Sequence, residues 1–282
     1  MATRLDGKAL SEKLKKRCAL ESAALREAGT EPCLAVVLVG SDPASAVYVK
    51  NKKKDCEESG IRGESYEMPD TAEPKELFAL IDKLNGRGDV HGILVQFPLP
   101  AQFDARAVLM AIDPKKDVDC FHPENVGLMT QGAPRFLPCT PAGVMALLDE
   151  YGIDPLGKEC VVVGRSDIVG KPMAMLLLRR HATVTVAHSR TPDLARVCRR
   201  ADILVSAAGK LGLITRDMVK QGAVVVDVAM NRTADGKLKG DALFDDIEPL
   251  CSYITPVPGG VGPMTRAILM QNTLTAAHGG KL

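Results

Sequence analysis

Short apolar runs alternate with longer charged segments along the first half of the chain. An apolar run of roughly 4–8 residues predicts a buried strand, and apolar positions that recur every three or four residues predict a helix. The predicted strands are Cys33–Gly40, Glu64–Met68 and His91–Gln96, and the predicted helices cover residues 10–28, Ser45–Ser59 and Glu73–Asn85. The first half is therefore predicted to be an α/β domain.

The same alternation resumes after Pro138. The predicted strands there are Glu159–Gly164, Thr183–His188, Asp202–Ala207 and Ala223–Asp227, with helices between them, a helix over Ala142–Tyr151 before them and a helix over Met264–His278 at the end. Strands that are largely apolar and separated by helices are typical of a doubly wound parallel sheet.

The segment Asp113–Cys139 separates the two alternating regions. It is rich in Pro, Gly and Asp and has no clear periodicity, which indicates a crossing between domains. We therefore predict a two-domain α/β protein. Residues 1–140, completed by a C-terminal helix within 264–282, form the N-terminal domain, and residues 141–263 form the domain with the doubly wound sheet.

Charge and composition narrow the classes of function. The net charge of +1 provides no broad positive field for nucleic acid or an anionic membrane. No apolar run approaches the roughly 20 residues of a membrane span, and the N-terminal sequence MATRLDGKALSEKLKK lacks the apolar core of a signal peptide. The eight cysteines have no CxxC spacing and no histidine pair has metal-ligand spacing, so we expect no metal and a reduced, cytoplasmic protein.

The strand Glu159–Gly164 leads into a turn of small residues and then a helix with Pro172 in its first turn. Gly164 permits a tight turn, and Ser166 stands where a second glycine often lets a pyrophosphate approach the backbone. Gly170 allows close packing of the helix. Many α/β turns carry small residues without binding anything, but the strand before and the helix after favour a nucleotide site here.

The end of the next strand distinguishes two nicotinamide cofactors. An acidic residue roughly 20 positions beyond the glycine turn would accept hydrogen bonds from the ribose of NAD. This strand instead ends in a Ser189 hydroxyl and an Arg190 guanidinium, which suit the 2′-phosphate of NADP, and Arg165 adds a second cation. NADP is therefore predicted, with Arg190 as a merely solvated loop residue the alternative.

Tyr48 and Lys52 lie four positions apart in a predicted helix and therefore share one face. A lysine held against a phenol, flanked by other cations and partly desolvated, can have its pKa lowered toward neutrality and act as a proton carrier. Three further lysines lie beside Lys52, however, and the segment taken alone favours a solvated basic face.

Three other places are candidates for ligand contact. Gln96 ends a strand at the sheet edge where ligands bind in open α/β folds, although a strand-end Gln is more often a capped edge. Asp119 lies in an acidic loop, and its carboxylate suits two adjacent N–H donors unless the loop is simply solvated. Thr255–Thr265 is dense in Pro and Gly and is either a rigid hinge or, as we favour, a backbone that contacts a ligand.

Several segments together resemble, in order, the successive motifs of the methylenetetrahydrofolate dehydrogenase/cyclohydrolase family. They are ASAVYVKNKKKDCEESGI, GILVQFPLP, KDVDCFHPENVG, PCTPAG, VVVGRSDIVGKPM, AHSRT and TPVPGGVGPMT. The resemblance implies a folate-binding N-terminal domain, a Rossmann-like NADP-binding C-terminal domain, a folate site in the cleft between them and a homodimer. It also implies two reactions on tetrahydrofolate derivatives. The first is the oxidation of the 5,10-methylene to the 5,10-methenyl form with NADP⁺, and the second is the hydrolysis of the methenyl form to 10-formyltetrahydrofolate.

The resemblance also implies the roles of individual residues. Lys52 is the catalytic lysine, Tyr48 orders it, Gln96 tunes it by a hydrogen bond, and Asp119 binds the pterin. The other implied contacts are with the cofactor at Gly164, Arg165, Ser166, Ser189 and Met230, and with folate at Pro258 and Gly259.

Two positions depart from the family pattern. Cys120 and Ala229 each stand where the family usually has glycine. Cysteine and alanine tolerate a positive φ poorly, so either substitution would strain the backbone if the family glycine adopts one.

Two alternative functions are a related NADP dehydrogenase for another substrate, such as a shikimate-type hydroxy acid, and an inactive nucleotide-binding regulator. Asp119 and the Thr255–Thr265 loop argue against the first, and the intact set of polar candidates argues against the second.

Overall fold

The computed structural model describes residues 2–41 and 43–280, with residues 43–48 described by their backbone alone. The chain divides into two compact units, which we name after their main sheets. The three-stranded unit comprises Glu12–Cys139 with residues 266–280, and the six-stranded unit comprises residues 2–11 with Thr140–Thr265.

The helices and strands have the following bounds. In chain order they are β1 (Thr3–Arg4), α1 (Gly7–Glu27), β2 (Cys33–Val39), α2 (Pro43–Glu58), β3 (Arg62–Met68), α3 (Pro74–Gly86), β4 (Gly92–Val95), α4 (Ala105–Ala111), α5 (Pro123–Thr130), α6 (Cys139–Glu150), β5 (Glu159–Val163), α7 (Gly170–Arg179), β6 (Thr183–Ala187), α8 (Leu194–Cys198), β7 (Ile203–Ser206), β8 (Val224–Asp227), β9 (Asn231–Arg232), β10 (Leu238–Lys239), α9 (Phe244–Ile247), β11 (Tyr253–Ile254) and α10 (Val261–Ala277).

The three-stranded unit is built around β2, which pairs in parallel with β3 on one side and β4 on the other. Every residue of β2 is buried, as its unbroken apolar sequence predicts for a strand covered on both faces. Leu77 and Ile81 of α3 and Val108 of α4 pack into this core. The three strands predicted in this half are all present.

The six-stranded unit contains a parallel sheet in the order β1-β11-β8-β7-β5-β6. The chain leaves β5 to form β6 at one edge and then returns to form β7 on the other side of β5. Such a reversal of strand order opens a crevice at the carboxyl ends of the two central strands, which is where ligands bind in doubly wound sheets. The predicted two-domain α/β fold with a doubly wound parallel sheet is confirmed.

The structure differs from the sequence-based prediction at two places near the unit boundaries. Residues 2–11, which the sequence-based prediction places in the N-terminal domain, group with the six-stranded unit because β1 pairs with β11 at its sheet edge. The segment Asp113–Cys139, which we expected to be a domain crossing, lies within the three-stranded unit and contains α5. Asn272 of α10 holds this segment by donating to the carbonyl oxygens of Val118 at 2.7 Å and Leu137 at 2.8 Å.

Candidate active site

Lys52 and Gln96 meet at the carboxyl edge of the three-stranded sheet. The Lys52 Nζ donates to the Gln96 Oε1 at 2.8 Å, while the Gln96 Nε2 donates to the Phe97 carbonyl at 2.7 Å. Because the Phe97 carbonyl accepts from the amide nitrogen, the amide oxygen must face the lysine. Gln96 also continues the β4 ladder through its backbone N–H to the Val37 carbonyl at 2.8 Å, so its position is fixed by the sheet.

Lys52 lies in a setting that favours its neutral form. Burial is the largest cause that lowers the pKa of its amine, and the negative charge of Asp119 opposes this effect. The positive charge of Arg266 lowers the pKa of Lys52 further, and the thiols of Cys139 and Cys56 lie close enough to contribute. The solvated basic face that the local sequence favoured is therefore wrong for Lys52, although Lys53 and Lys54 are exposed.

Asp119 is the acidic partner of this site. Burial is the main cause that raises the pKa of its carboxyl, Lys52 counteracts this shift, and the nearby Asp117 adds to it. Asp117 is itself buried and accepts from the His122 backbone N–H and from Asn125 Nδ2, both at 2.8 Å. The hydrogen bonds of Asp117 therefore fix the loop that carries Asp119. Lys52 and Asp119, two of the predicted site residues, interact electrostatically.

Sequence reasoning missed a buried ionic cluster one helical turn beyond Lys52. Asp55 is only 2% exposed and accepts from Lys15 Nζ and from Arg266 Nη1, both at 2.8 Å. It ties α2 to α1 and α10 within this unit. A lone acid in the basic segment KNKKKD was a signal, but its partners lie 40 and 211 positions away in sequence.

The side chain of Tyr48 lies outside the described part of the structure, so its predicted contact with Lys52 stays a prediction. Cys120, the first departure from the family pattern, has φ 62° and is buried, with its Sγ 3.4 Å from the Phe136 carbonyl. This position therefore requires the left-handed conformation that glycine adopts without strain. Ala229, the second departure, is not among the non-glycine residues with positive φ.

In the six-stranded unit, the turn after β5 depends on two glycines. Gly164 has φ 132°, and a Cβ there would lie 2.3 Å from the Ala207 carbonyl oxygen. A Cβ on Gly170 would lie 2.3 Å from the Gly164 carbonyl oxygen. The Ser166 Oγ accepts from the backbone N–H groups of Val169 and Gly170, both at 3.2 Å. The turn therefore requires glycine at 164 and 170, because a side chain at either position would collide with neighbouring backbone.

The predicted phosphate-binding residues lie at the ends of neighbouring strands. β6 pairs with β5 along its length, so the turn after β6 lies at the same sheet edge as Gly164. That turn is ordered by the His188 N–H, which donates to the Thr191 Oγ1 at 2.9 Å, and by the Arg190 N–H, which donates to the His188 Nδ1 at 3.1 Å. Ser189, Arg190 and Arg165 are exposed, and neither guanidinium forms an ion pair with a described residue.

Met230 and the Pro- and Gly-rich loop approach each other within the same unit. Met230 follows β8 and is 42% exposed, and a Cβ on Gly262 would lie 3.5 Å from its sulfur. The Val257–Pro258 peptide bond is cis, and the Gly259 carbonyl accepts from the Lys8 backbone N–H at 3.0 Å. Pro258 remains exposed beside this anchored turn.

Among the described residues, no group of three or more His, Cys, Asp or Glu side chains is placed to hold a metal ion. All eight cysteines are buried free thiols. No helix in the described ranges has the length and apolar character needed to cross a membrane.

The fold and the site define a class of protein, an α/β enzyme with a lysine of lowered pKa in one unit and a dinucleotide-type turn in the other. The family model for the tetrahydrofolate dehydrogenase/cyclohydrolase catalytic domain matches residues 5–119, and the model for its NAD(P)-binding domain matches residues 138–280. The chain belongs to this family. It is a bifunctional enzyme with dehydrogenase and cyclohydrolase activities, and the two alternatives considered from the sequence are rejected.

Similar proteins cover essentially the whole chain. The bifunctional protein FolD of Anaeromyxobacter dehalogenans is 58% identical over 276 residues, which are 97% of each sequence. The crystal structure of the bifunctional FolD enzyme from Campylobacter jejuni is 50% identical, covers 99% of both chains and superposes with a TM-score of 0.97. The Trypanosoma brucei enzyme, crystallised with NADP and an inhibitor, is 41% identical, covers 98% of this chain and 97% of its own, and gives a TM-score of 0.93.

Proposed function

We propose that Lys52 is the proton carrier of the cyclohydrolase reaction, with Gln96 and Tyr48 positioning it and Asp119 holding the folate. The observation that carries this proposal is the 2.8 Å hydrogen bond from the Lys52 Nζ to the Gln96 Oε1. It joins an amine whose pKa is lowered by burial to a side chain fixed by the sheet. A lysine of this kind supplies an unprotonated amine under conditions where an exposed lysine is charged.

In the dehydrogenase reaction, the methylene carbon of 5,10-methylenetetrahydrofolate loses a hydride, which NADP accepts when it is bound. The folate product is the 5,10-methenyl cation. No side chain forms a bond in this step, so the contribution of the protein is to hold the folate in a reactive orientation. The carboxylate of Asp119 does this by accepting two N–H groups of the pterin.

In the cyclohydrolase reaction, water adds to the methenyl carbon of the cation. The neutral Lys52 amine takes a proton from the attacking water and returns it to N5 as the bond from this carbon to N5 breaks. The oxygen of the water becomes the formyl oxygen on N10, and one proton is released to solvent. Gln96 accepts a hydrogen bond from the lysine before and after protonation, which keeps Nζ at one place through both transfers.

Tyr48 is the second positioning residue of this proposal. It lies one helical turn before Lys52 on α2, so the two positions share one face of the helix. A phenol there can donate to the neutral amine or accept from its charged form, and both arrangements restrict the rotamers of the lysine. The family resemblance supports the same role.

NADP is the cofactor, and the residues of the six-stranded unit fit it. Gly164 and Gly170 let the turn after β5 pack closely against neighbouring backbone, which fixes the turn where the pyrophosphate is proposed to bind, and Ser166 lies between them. Ser189, Arg190 and Arg165 offer a hydroxyl and two exposed guanidinium groups for the 2′-phosphate. Met230 is exposed beside the Gly262 loop and is assigned to the nicotinamide, while Pro258 and Gly259 are assigned to folate contact.

The decisive experiment follows both products in one assay. Purified protein is given 5,10-methylenetetrahydrofolate with either NADP⁺ or NAD⁺, and NADPH and the methenyl cation are followed by absorbance. Methenyltetrahydrofolate is then supplied directly to measure its hydrolysis without a cofactor. We expect NADP⁺-dependent oxidation and cofactor-independent hydrolysis, and equal rates with the two cofactors would overturn the assignment of Arg190 and Arg165.

Two coarser features complete the proposal. Buried free thiols at all eight cysteines support a reducing compartment, which we take to be the cytoplasm. The family resemblance supports a homodimer. Light scattering on the purified protein should then give about twice the 30.1 kDa chain mass, and a mass of one chain would contradict it.

A further inference from the structure

A buried carboxylate in the six-stranded unit organises the wall of the crevice opposite the glycine turn. Asp241 is completely buried and follows β10. Its Oδ2 accepts from the Ser206 hydroxyl at 2.8 Å and from the backbone N–H groups of Ala208 at 2.9 Å and Gly209 at 3.2 Å. Its Oδ1 accepts from the Lys210 N–H at 2.6 Å and from Asn231 Nδ2 at 3.0 Å.

This arrangement differs from a buried ion pair because all five donors are neutral. Three consecutive backbone N–H groups converge on one carboxylate, which is the geometry of a backbone nest for an anion. A buried carboxylate is costly unless its lone pairs are filled, and here hydrogen bonds fill them. The loop of residues 207–210, which we call the β7 loop, therefore has its conformation set by an internal anion.

The β7 loop forms one side of the crevice where the strand order reverses. Ser206 ends β7 and is paired with Val163, the last residue of β5. The Ala207 N–H donates to the Val163 carbonyl at 2.8 Å, and the Ala207 carbonyl is the atom that a Cβ on Gly164 would strike. A displacement of the β7 loop by even 1 Å would therefore change the space available at the glycine turn.

The same carboxylate also holds the segment after β8. Asn231, which donates to Asp241, immediately follows Met230. The backbone around Asp241 is itself anchored, because the Ala242 N–H donates to the buried Asp227 Oδ2 at 2.7 Å and the Ile214 N–H donates to the Asp241 carbonyl at 3.0 Å. Asp241 thus connects the segments after β7 and β8 to a backbone that is anchored by Asp227 and Ile214.

We propose that Asp241 is a positioning residue for the dinucleotide site, one that presets the β7 loop and the Met230 segment so that NADP binds without reordering them. This proposal rests on the assignment of the NADP site to this unit. Preorganisation of this kind strengthens binding because the ordering of the loop is complete before the cofactor arrives. All five donors to Asp241 belong to the six-stranded unit, so we expect its effect on cofactor binding rather than on hydrolysis.

The test compares Asp241→Asn with wild type, with the exposed Asp245→Asn as the matched control. An amide keeps the size of the side chain, but its NH₂ group cannot accept from the donors on one side of the carboxylate. We expect the NADP dissociation constant, measured by calorimetry, to rise about 10-fold or more, because the variant must order the β7 loop when the cofactor binds. Hydrogen exchange should accelerate at the amides of 208–210 before any cofactor is added.

Hydrolysis of methenyltetrahydrofolate supplied directly should stay within about twofold of wild type, a ratio worth only about 0.4 kcal/mol of transition-state free energy. Unchanged NADP affinity and unchanged exchange in Asp241→Asn would overturn the proposal, as would equal losses of hydrolysis and of NADP binding. If Asp241→Asn does not fold, Ser206→Ala decides the question, because it removes one donor and should give a smaller loss of NADP affinity. Failure of wild type to bind NADP would instead count against the proposed function.

Discussion

The candidate sites of the two units of this enzyme consist of different kinds of groups. In the three-stranded unit, ionisable side chains that are partly or fully buried shift one another's pKa. Asp119 raises the pKa of Lys52, and Arg266 lowers it. In the six-stranded unit, the candidate site consists of turns that require glycine and of exposed cations without ion pairs among the described residues. The roles proposed for the two units, proton transfer in one and phosphate binding in the other, would account for this difference.

A proton carrier needs a pKa far from its usual value, and burial near a few chosen charges is the strongest way to obtain one. A phosphate group brings its own charge and needs backbone N–H groups, close approach and cations that remain accessible. Substitutions should therefore separate the two activities. In one unit they should act through charge and pH, and in the other through cofactor affinity.

The largest effect is expected from Lys52→Met. This variant keeps the length of the side chain but removes the amine, so hydrolysis of methenyltetrahydrofolate should fall by at least about 100-fold, the lower range for general acid–base catalysis. The NADP⁺-dependent dehydrogenase activity should survive in part because hydride transfer needs no proton from this residue. Lys53→Met is the matched control, since Lys53 is exposed on the same helix. Wild-type hydrolysis rates in Lys52→Met would contradict the assignment.

A smaller effect is expected from Arg190→Gln in the other unit. Loss of the guanidinium should reduce the preference for NADP over NAD, measured as the ratio of kcat/KM values, by about 10- to 100-fold. Hydrolysis without cofactor should not change. Arg199→Gln, at another exposed arginine of the same unit, should leave the ratio unaltered. If both variants lower it equally, a general charge effect would explain the preference.

Opposite shifts in pH dependence are expected from two neighbours of Lys52. In the proposed mechanism hydrolysis requires the neutral amine, so the rate should fall as pH drops through the pKa of Lys52, which burial first and Arg266 second hold below the usual value. Arg266→Gln removes a cause that lowers this pKa, and the acid limb of kcat should move to higher pH. Asp119→Asn removes a cause that raises it, and the limb should move to lower pH while KM for folate increases.

The two neighbour variants serve as controls for each other. Asp55 keeps its ion pair with Lys15 in Arg266→Gln, so the helix that carries Lys52 retains its buried contact. Shifts of the acid limb in the same direction, or a profile identical to wild type in both variants, would show that the charge of Lys52 does not govern the rate.

The smallest effect is expected from Cys120→Gly. The left-handed backbone at φ 62° costs a non-glycine residue roughly 1–2 kcal/mol, but glycine costs roughly 0.5–1 kcal/mol in lost chain entropy. The substitution also removes a buried thiol, so urea unfolding should change by no more than about 1 kcal/mol. Ala229→Gly, where φ is not positive, should destabilise the protein by roughly 0.5–1 kcal/mol. A larger loss in Cys120→Gly than in Ala229→Gly would argue against strain at residue 120.

Most of the strands could be read from the sequence because their signal is local. An unbroken apolar run such as CLAVVLV is buried on both faces wherever the strand lies in a parallel sheet. The short elements could not be found in the same way. β1 and β11 have only two residues each and exist because they pair with a neighbour. The segment with α5 has little periodicity, and contacts with α10 hold it in place.

The candidate site divides along similar lines. The helical spacing of Tyr48 and Lys52 and the strand-end position of Gln96 follow from local geometry and made them candidates. The local pattern alone favoured a solvated basic face and a capped strand edge, and the family resemblance supplied their roles. Arg266 and Asp241 carry no local signal of their role, and the lone acid Asp55 in a basic segment does not reveal its partners, because the partners of all three are distant in sequence. Tyr48 remains a prediction because its side chain is outside the described residues.

The sequence by itself determined the alternation of strands and helices, the glycine turn and the order of the family motifs. These depend on backbone preferences and on hydrophobic patterns within a few residues. The tertiary structure decided which charges are buried and which partners surround them. A pKa or a preset loop depends on atoms a few ångströms away that belong to different elements, and only the folded chain brings Lys52 to Asp119 or three backbone N–H groups to Asp241.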